Sequence, residues 1–428
     1  MSSPLLILGG GVTGLGAAWA SRAPVLESRS QPGGICASYY FHPQHGVIDE
    51  DPDGECFTFE IGGGHWLFGA NPDALEKLGT FSEFERFERK SAVYLPQYDR
   101  MVPYPIQQNL RLLPRSVAEA SNREMQMIPR KQDGSFHDWL LARFGPTLGE
   151  EFFLPFNDLY TAGMTRQIAA QDSYKSPPSL SPTTKDRNPA GYNARFRYPK
   201  TNLGHLFNKL AEKCDVRYSM EVTEIDVASK TLKTRCGQSF NYQKLLATLP
   251  LNILYKMAFP DREADLPYTS ILVLNLAGRR TEKCPSEQWI YFPKSCSGFH
   301  RVGFYSNVSD RFLPVGLRDS THASAYVERS WKGGCPPTKQ ELNEYIDSAK
   351  QELVELGWFS EISIVHETWV EVAYTYEWLK MNKSKDMIKE LEAMDVHPIG
   401  RYGRWNFQGI LESFSEGLLS GHKARENL

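Results

Sequence analysis

Leu5-Leu6-Ile7-Leu8 runs straight into Gly9-Gly10-Gly11-Val12-Thr13-Gly14, and Leu15-Gly16-Ala17-Ala18-Trp19-Ala20 follows. This is strand, glycine turn, then a helix of small residues, with glycines at the first, third and sixth positions of a dinucleotide-binding fingerprint. Gly9 permits the tight turn. Gly11 lets backbone approach a pyrophosphate. Gly14 lets the helix pack against the strand, with its positive dipole end toward the phosphates. Working outward, Pro24-Val25-Leu26 reads as a second strand ending on Glu27, where an acid can bind ribose hydroxyls. Gln31-Pro32-Gly33-Gly34 follows. The alternative is a set of ordinary surface turns.

The rest of the composition narrows the class. A length of 428 residues suggests two or three domains. With 41% hydrophobic and 23% charged residues, the chain can bury a large core. No apolar run approaches the ~20 residues of a membrane span. A formal charge of −3 gives no electrostatic case for nucleic acid. Seven cysteines lie scattered without CxxC or zinc spacing, the pattern of reduced thiols. The fingerprint starts within a few residues of Met1, so a cleaved leader would remove part of it. These points together predict a cytoplasmic protein. No metal-ligand spacing and no nucleophile elbow occurs, so no metal is expected.

Along the chain, Phe57-Thr58-Phe59-Glu60-Ile61 alternates as a strand and enters Gly62-Gly63-Gly64-His65-Trp66. Residues 71–166 read as mostly helical. Residues 172–193, rich in Ser, Pro, Thr, Lys and Asn, read as a long mobile loop. Asn202 to Lys213 reads as a helix, Val216 to Leu249 as a β-meander turning at Gly237, and Ser270 to Ala277 and Ala323 to Val327 as buried strands. Pro336 to Gly357 is amphipathic and helical, and a Gly-rich turn at Gly400 precedes a last helix. The expected architecture is α/β. A discontinuous Rossmann-like cofactor domain comprises residues 1–70, 194–265 and 396–428. A mostly helical domain is inserted at 71–193, and an antiparallel-sheet substrate domain at 266–395.

Several islands, taken in order, resemble the UDP-galactopyranose mutases of the eukaryotic type. These sit within the wider FAD group of amine oxidases and protoporphyrinogen oxidases. The islands are the fingerprint with Glu27 and Gly34; Gly63-Gly64-His65-Trp66-Leu67-Phe68; Tyr104-Pro105-Ile106-Gln107-Gln108-Asn109; Phe152-Phe153-Leu154-Pro155-Phe156-Asn157; Asn193-Ala194-Arg195; Trp289-Ile290-Tyr291 with His300-Arg301; and Gly400-Arg401-Tyr402-Gly403-Arg404-Trp405. The resemblance implies FAD, active in its reduced form, with NAD(P)H as one possible reductant. It implies an isomerase that interconverts the pyranose and furanose forms of a UDP-sugar through a covalent flavin N5–sugar adduct, with no net redox change.

Residue by residue, the resemblance puts Gly64, His65, Val222, Arg401, Gly409 and Ser413 at the cofactor. It puts Tyr104, Gln107, Phe152, Phe156 and Asn157 at the uridine, Asn193 near the sugar, and Arg301, Tyr291 and Tyr374 at the diphosphate and sugar. His65 and Arg301 are the catalytic candidates. Each has a plainer reading. His65 could be a structural histidine, Arg301 a strand-surface arginine, and Phe152 with Phe156 merely core. Asn157, Asn193 and Gln107 could be turn or cap residues, and Tyr291 and Tyr374 packing residues. The sequence also departs from the family. Tyr160-Thr161 stands where the mutases carry a Trp. Lys175 or Ser176 occupies the place of the loop arginine. Phe407 replaces a phosphate-binding tyrosine, and Tyr376 competes with Tyr374. These departures keep a redox flavoenzyme of the amine oxidase or protoporphyrinogen oxidase type as the rival.

Overall fold

The computed structural model describes residues 2–69, 71–127, 134–170, 194–318 and 321–426. The opening strand, Ser2–Leu8, is central to one sheet. It pairs in parallel with Val25–Leu26 on one side and with Ser239–Ala247 on the other. Val216–Arg217 extends the parallel edge, and Val396–Pro398 adds in parallel to Ser239–Ala247. The meander strands Val222–Asp226 and Thr231–Thr234 complete the sheet antiparallel, turning at Gly237 with φ +82°. Apolar runs such as Leu5–Leu8 become central strands because both faces are covered. This Rossmann-like sheet is therefore assembled from the two ends and the middle of the chain.

The helix Val12–Ser21 covers one face and packs on the last helix, Ile410–Glu426. The contact is close. A Cβ on Gly417 would lie 2.2 Å from the Thr13 carbonyl oxygen, and one on Gly421 2.4 Å from that of Ala17. Small residues in both helices allow two backbones to meet, which joins the chain's ends in one layer.

The second large sheet runs Phe359–Thr375, Tyr268–Arg280, His322–Lys332, Arg301–Phe304, Trp289–Tyr291, Ser91–Leu95, Arg100–Pro103. It is antiparallel except where Trp289–Tyr291 meets Ser91–Leu95. The predicted strands at 270–277 and 323–327 are its centre. Helical expectations hold at Phe136–Leu148, Leu203–Ala211 and Lys339–Glu355, which are capped by Ser135, Asn202 and Thr338.

The mostly helical expectation for 71–166 fails at Phe84–Glu88, Ser91–Leu95 and Arg100–Pro103, which are strands. The first pairs with Arg195–Pro199, and the other two form a hairpin turning through Asp99 at φ +44°. Short alternations such as Ser91-Ala92-Val93-Tyr94-Leu95 become strands because sheet neighbours bury them, which local periodicity does not reveal. Among the described residues no helix is long and apolar enough to cross a membrane.

Candidate active site

The glycine turn is built as the fingerprint requires. Gly9 has φ +92°, and a Cβ there would sit 2.3 Å from Thr248 Oγ1. A Cβ on Gly14 would overlap the Gly9 carbonyl oxygen at 1.9 Å, so only glycine lets this helix start so near the strand. Gly11 differs: a Cβ there would meet no described atom within 4 Å. Its side of the turn opens onto space rather than packing. The helix behind it has no side-chain cap and no acidic residue in its first turn. The uncapped N–H donors and dipole therefore suit a bound anion. Gly33 N–H closes the floor by donating to the Gly10 carbonyl at 2.9 Å, beside Gly34.

Glu27 is buried. It accepts from Gly10 N–H at 2.6 Å and from Arg29 N–H at 2.8 Å. Its own carbonyl accepts from Met220 N–H at 2.8 Å, which brings the chain toward Val222 alongside. At the other end, Gly400 (φ +76°) crosses over Thr13 of the first helix, with a Cβ there only 2.5 Å from Thr13 Oγ1. This crossing sets Arg401 next to the fingerprint. Gly409 and Ser413 form the head of the last helix, where Ser413 N–H donates to the Gly409 carbonyl.

Between this cradle and the second sheet lies a narrow cleft, lined in part by Gly62, His65, Arg301, Glu328, Tyr374 and Arg401. Four of the sequence candidates thus converge. His65 is half-buried, with Nδ1 3.3 Å from the Gly63 carbonyl. Burial, helped by the positive charge of Arg401, pulls its pKa down to about 4, so it is neutral near pH 7. Tyr326 packs on Gly64, and its hydroxyl oxygen would lie 2.0 Å from a Cβ there. Gly63 likewise yields to the Glu328 carboxylate at 2.8 Å.

An aromatic wall leads away from the cleft. Arg401 lies 5.2 Å from the Tyr374 ring, which lies 4.4 Å from Tyr160. Phe156 follows at 5.8 Å, then Tyr291 at 5.4 Å from Phe156, then Tyr104 at 4.9 Å. Phe156 and Tyr291 are half-buried. Phe152 shares a face with Phe156 but is only 1% exposed, so it backs Phe156 and is core rather than platform. Gln107 is buried on the same segment as Tyr104. Asn157 is buried too, and its amide nitrogen donates to the Phe153 carbonyl at 2.7 Å. Tyr376 is core at 2% exposure, so Tyr374 is the tyrosine of the cleft. Lys175, Ser176 and Asn193 lie outside the described residues, as does the predicted loop at 172–193.

Three groups were given no role in the sequence reading. Glu328 directly follows the predicted strand Ala323 to Val327, and a carboxylate ending a run of buried residues was its signal. It accepts from Arg301 Nε at 2.8 Å and Nη2 at 2.6 Å. Burial alone would raise its pKa, but Arg301 and His300 outweigh that and hold it at about 2. His300 lies beside it. Arg89 is buried with its guanidinium 5.4 Å from the Tyr104 ring.

The sequence pattern of the flavin containing amine oxidoreductases matches residues 22–288, more than half of the chain. The chain belongs to that family. Its fold is similar to that of a reduced UDP-galactopyranose mutase, with TM-score 0.82 and 22% identity over 100% of this chain and 94% of that one. A cyclohexylamine oxidase from Brevibacterium oxydans IH-35A gives 0.65 and 13%, covering 99% and 98%. A putrescine oxidase with bound putrescine gives 0.63 and 15%, covering 99% of both. At these identities the likeness is one of fold. FAD is the cofactor this flavoenzyme family implies, and the open face of Gly11 with its uncapped helix fits a pyrophosphate.

Proposed function

We propose that this flavoenzyme isomerises a UDP-sugar between pyranose and furanose forms, with UDP-galactose as the first substrate to try. One observation carries the reading. Two guanidinium groups, Arg301 and Arg401, line the cofactor-side cleft, and an aromatic wall runs from it to Tyr104 and Gln107. A cationic end joined to an aromatic and amide end matches a diphosphate joined to a base.

In this reading FAD lies along Gly9, Gly11, Gly14, Glu27 and Gly34, with His65, Arg401 and the Gly409–Ser413 turn at its reactive end. Val222 stands beside the Glu27 end. When bound and reduced, FAD supplies the nucleophilic chemistry at the anomeric carbon. The chain does the rest. Arg301 and Arg401 hold the diphosphate during its departure and return. Tyr160, whose hydroxyl burial and neighbouring Tyr374 keep protonated, donates to the same oxygens with Tyr374. Phe156 offers its ring face to the base with Tyr291 edge-on beside it, while Gln107 and the amide oxygen of Asn157 read its edge. Neutral His65 donates or accepts at the flavin without adding charge. Lys175 and Asn193 are proposed to complete the sugar end, and NAD(P)H to reduce the flavin.

The rival amine oxidase reading meets a charge conflict. A protonated amine entering this cleft would face two guanidinium groups, and the carboxylate present is already paired with one of them. The test is to reduce the FAD-loaded protein chemically, add UDP-galactopyranose and separate the products. The furanose isomer is expected. If no UDP-hexose is isomerised, and amines drive oxygen consumption instead, the mutase reading is lost.

A further inference from the structure

Arg301 is no bare cation. The Nε and Nη2 edge of its fork is committed to the two oxygens of Glu328, a carboxylate that is only 1% exposed. Behind that carboxylate stands His300, equally buried. Its Nε2 lies 3.4 Å from Glu328 Oε2, too poorly aligned to count as a hydrogen bond. Its Nδ1 has no hydrogen-bond partner among the described residues. The ring faces Tyr160 at 5.4 Å and Phe156 at 6.1 Å, edge to face. A buried imidazole with an unused nitrogen, beside a buried carboxylate that Arg301 neutralises, is costly unless it is used.

We infer that Glu328 and His300 form a buried acid–base pair that positions Arg301 and takes up one proton when an anionic ligand reaches the cleft. The inference rests on the proposed function only in needing an anion at Arg301. Without a ligand the charges close. Arg301 balances Glu328, and burial keeps His300 neutral by lowering its pKa. An arriving anion finds the inner edge of Arg301 taken and must share the guanidinium with Glu328. Even with Arg401 in the cleft, two cations then face Glu328 and a diphosphate that carries two or more negative charges, in a site where Coulomb terms are strong. A proton from the buffer onto the pair restores the balance, and Nδ1 of His300 is an empty place for it. The proton belongs to the coupled pair rather than to either residue.

Other groups face the pair. His65 comes from the glycine loop, Arg401 from the tail, Tyr160 from the helix Leu154–Tyr160 and Tyr374 from the strand Phe359–Thr375. Tyr345 comes from the helix Lys339–Glu355, and Tyr326 from the pair's own strand. The arginines stay charged across the neutral range. Burial keeps Tyr160, Tyr326 and Tyr345 protonated there. His65 is the one competitor for the proton, and the test separates it from the pair.

The FAD-loaded protein is titrated calorimetrically near pH 7 with UDP, and separately with inorganic pyrophosphate, in phosphate-free buffers of differing ionisation enthalpy. Close to one proton should be taken up per ligand. The Kd should then rise with pH, by up to about tenfold per unit, from the pH at which the free pair loses its proton until the liganded pair itself titrates. Glu328→Gln should abolish the uptake and flatten that profile. No uptake in the wild type, or uptake unchanged in E328Q, overturns the inference; the latter result places the proton on His65 or on the ligand, which His65→Gln separates. Should E328Q not fold, His300→Gln must move the uptake to lower pH, and an unmoved profile overturns the pair. If pyrophosphate binds with proton uptake and UDP does not bind, the pair stands and the UDP-sugar reading falls. UDP binding without uptake does the reverse. If neither ligand binds, both fall.

Discussion

The cofactor cradle and the substrate cleft are neighbours built on opposite plans. The cradle is backbone. Gly9, Gly11 and Gly14 come from six consecutive positions, and each is set by what a Cβ would or would not strike. The cleft is side chain. His65, Arg301, Glu328, Tyr374 and Arg401 come from five separate stretches; Arg301 and Glu328 meet as register partners in the sheet that also carries Tyr374, and the glycine loop and the tail bring His65 and Arg401 to it. The difference teaches where each fails. A cradle fails when one atom is added. A cleft fails when one partner of a pair is removed.

The largest test of that contrast is Arg301→Met. It leaves Glu328 charged and buried, and losing one partner of such a pair costs about 3–5 kcal/mol. A drop of that size in urea-unfolding stability is expected, with most of it recovered in the double variant Arg301→Met/Glu328→Gln. If Arg301→Met is as stable as the wild type, the pair is not the strut described. Next comes Gly14→Ala. The added methyl overlaps the Gly9 carbonyl oxygen, and overpacking of this kind costs about 1–3 kcal/mol. The cost should fall on the glycine turn, so FAD per chain after purification should drop while far-UV CD is kept. An unchanged FAD content would break the cradle half of the comparison.

The smallest effect concerns His65, at the seam between the two regions. Its folded pKa of about 4 lies below the unfolded value near 6.5. The unfolded chain therefore binds the proton first as pH falls. The stability conferred by neutral His65 is whole above about pH 6.5 and is lost progressively toward pH 4. His65→Gln should flatten thermal stability across that window. A variant curve parallel to the wild type would mean that His65 is not the group titrating.

The contrast also governs what was legible in advance. The fingerprint, Glu27 and the turn at Gly400 could be read because their spacing is local and their glycines have steric causes. Tyr104, Phe156 and Arg301 were legible only through resemblance; no local pattern distinguishes them from core. Phe152 shows the limit, since spacing four residues from Phe156 predicts a shared face but not which ring is exposed. Tyr374 and Tyr376 point the same lesson. Alternation puts both on one face, and only their neighbours decide that Tyr374 lines the cleft and Tyr376 is core. The strands at 91–95 and 100–103 were missed because their stability comes from pairing with Trp289–Tyr291 and each other, not from their own periodicity.

The sequence by itself determined that a dinucleotide-type cradle opens this chain, that a helix of small residues follows it, and that the middle supplies strands. Glycine sterics and hydrophobic runs act over a few residues, so they survive in one dimension. The tertiary structure alone decided that Glu328 stands behind Arg301 with His300, and that Tyr326 packs on Gly64. It decided too that an aromatic wall joins Arg401 to Tyr104. Those facts depend on strand register within the second sheet and on how the glycine loop and the tail pack against it, and burial of the whole core selects that.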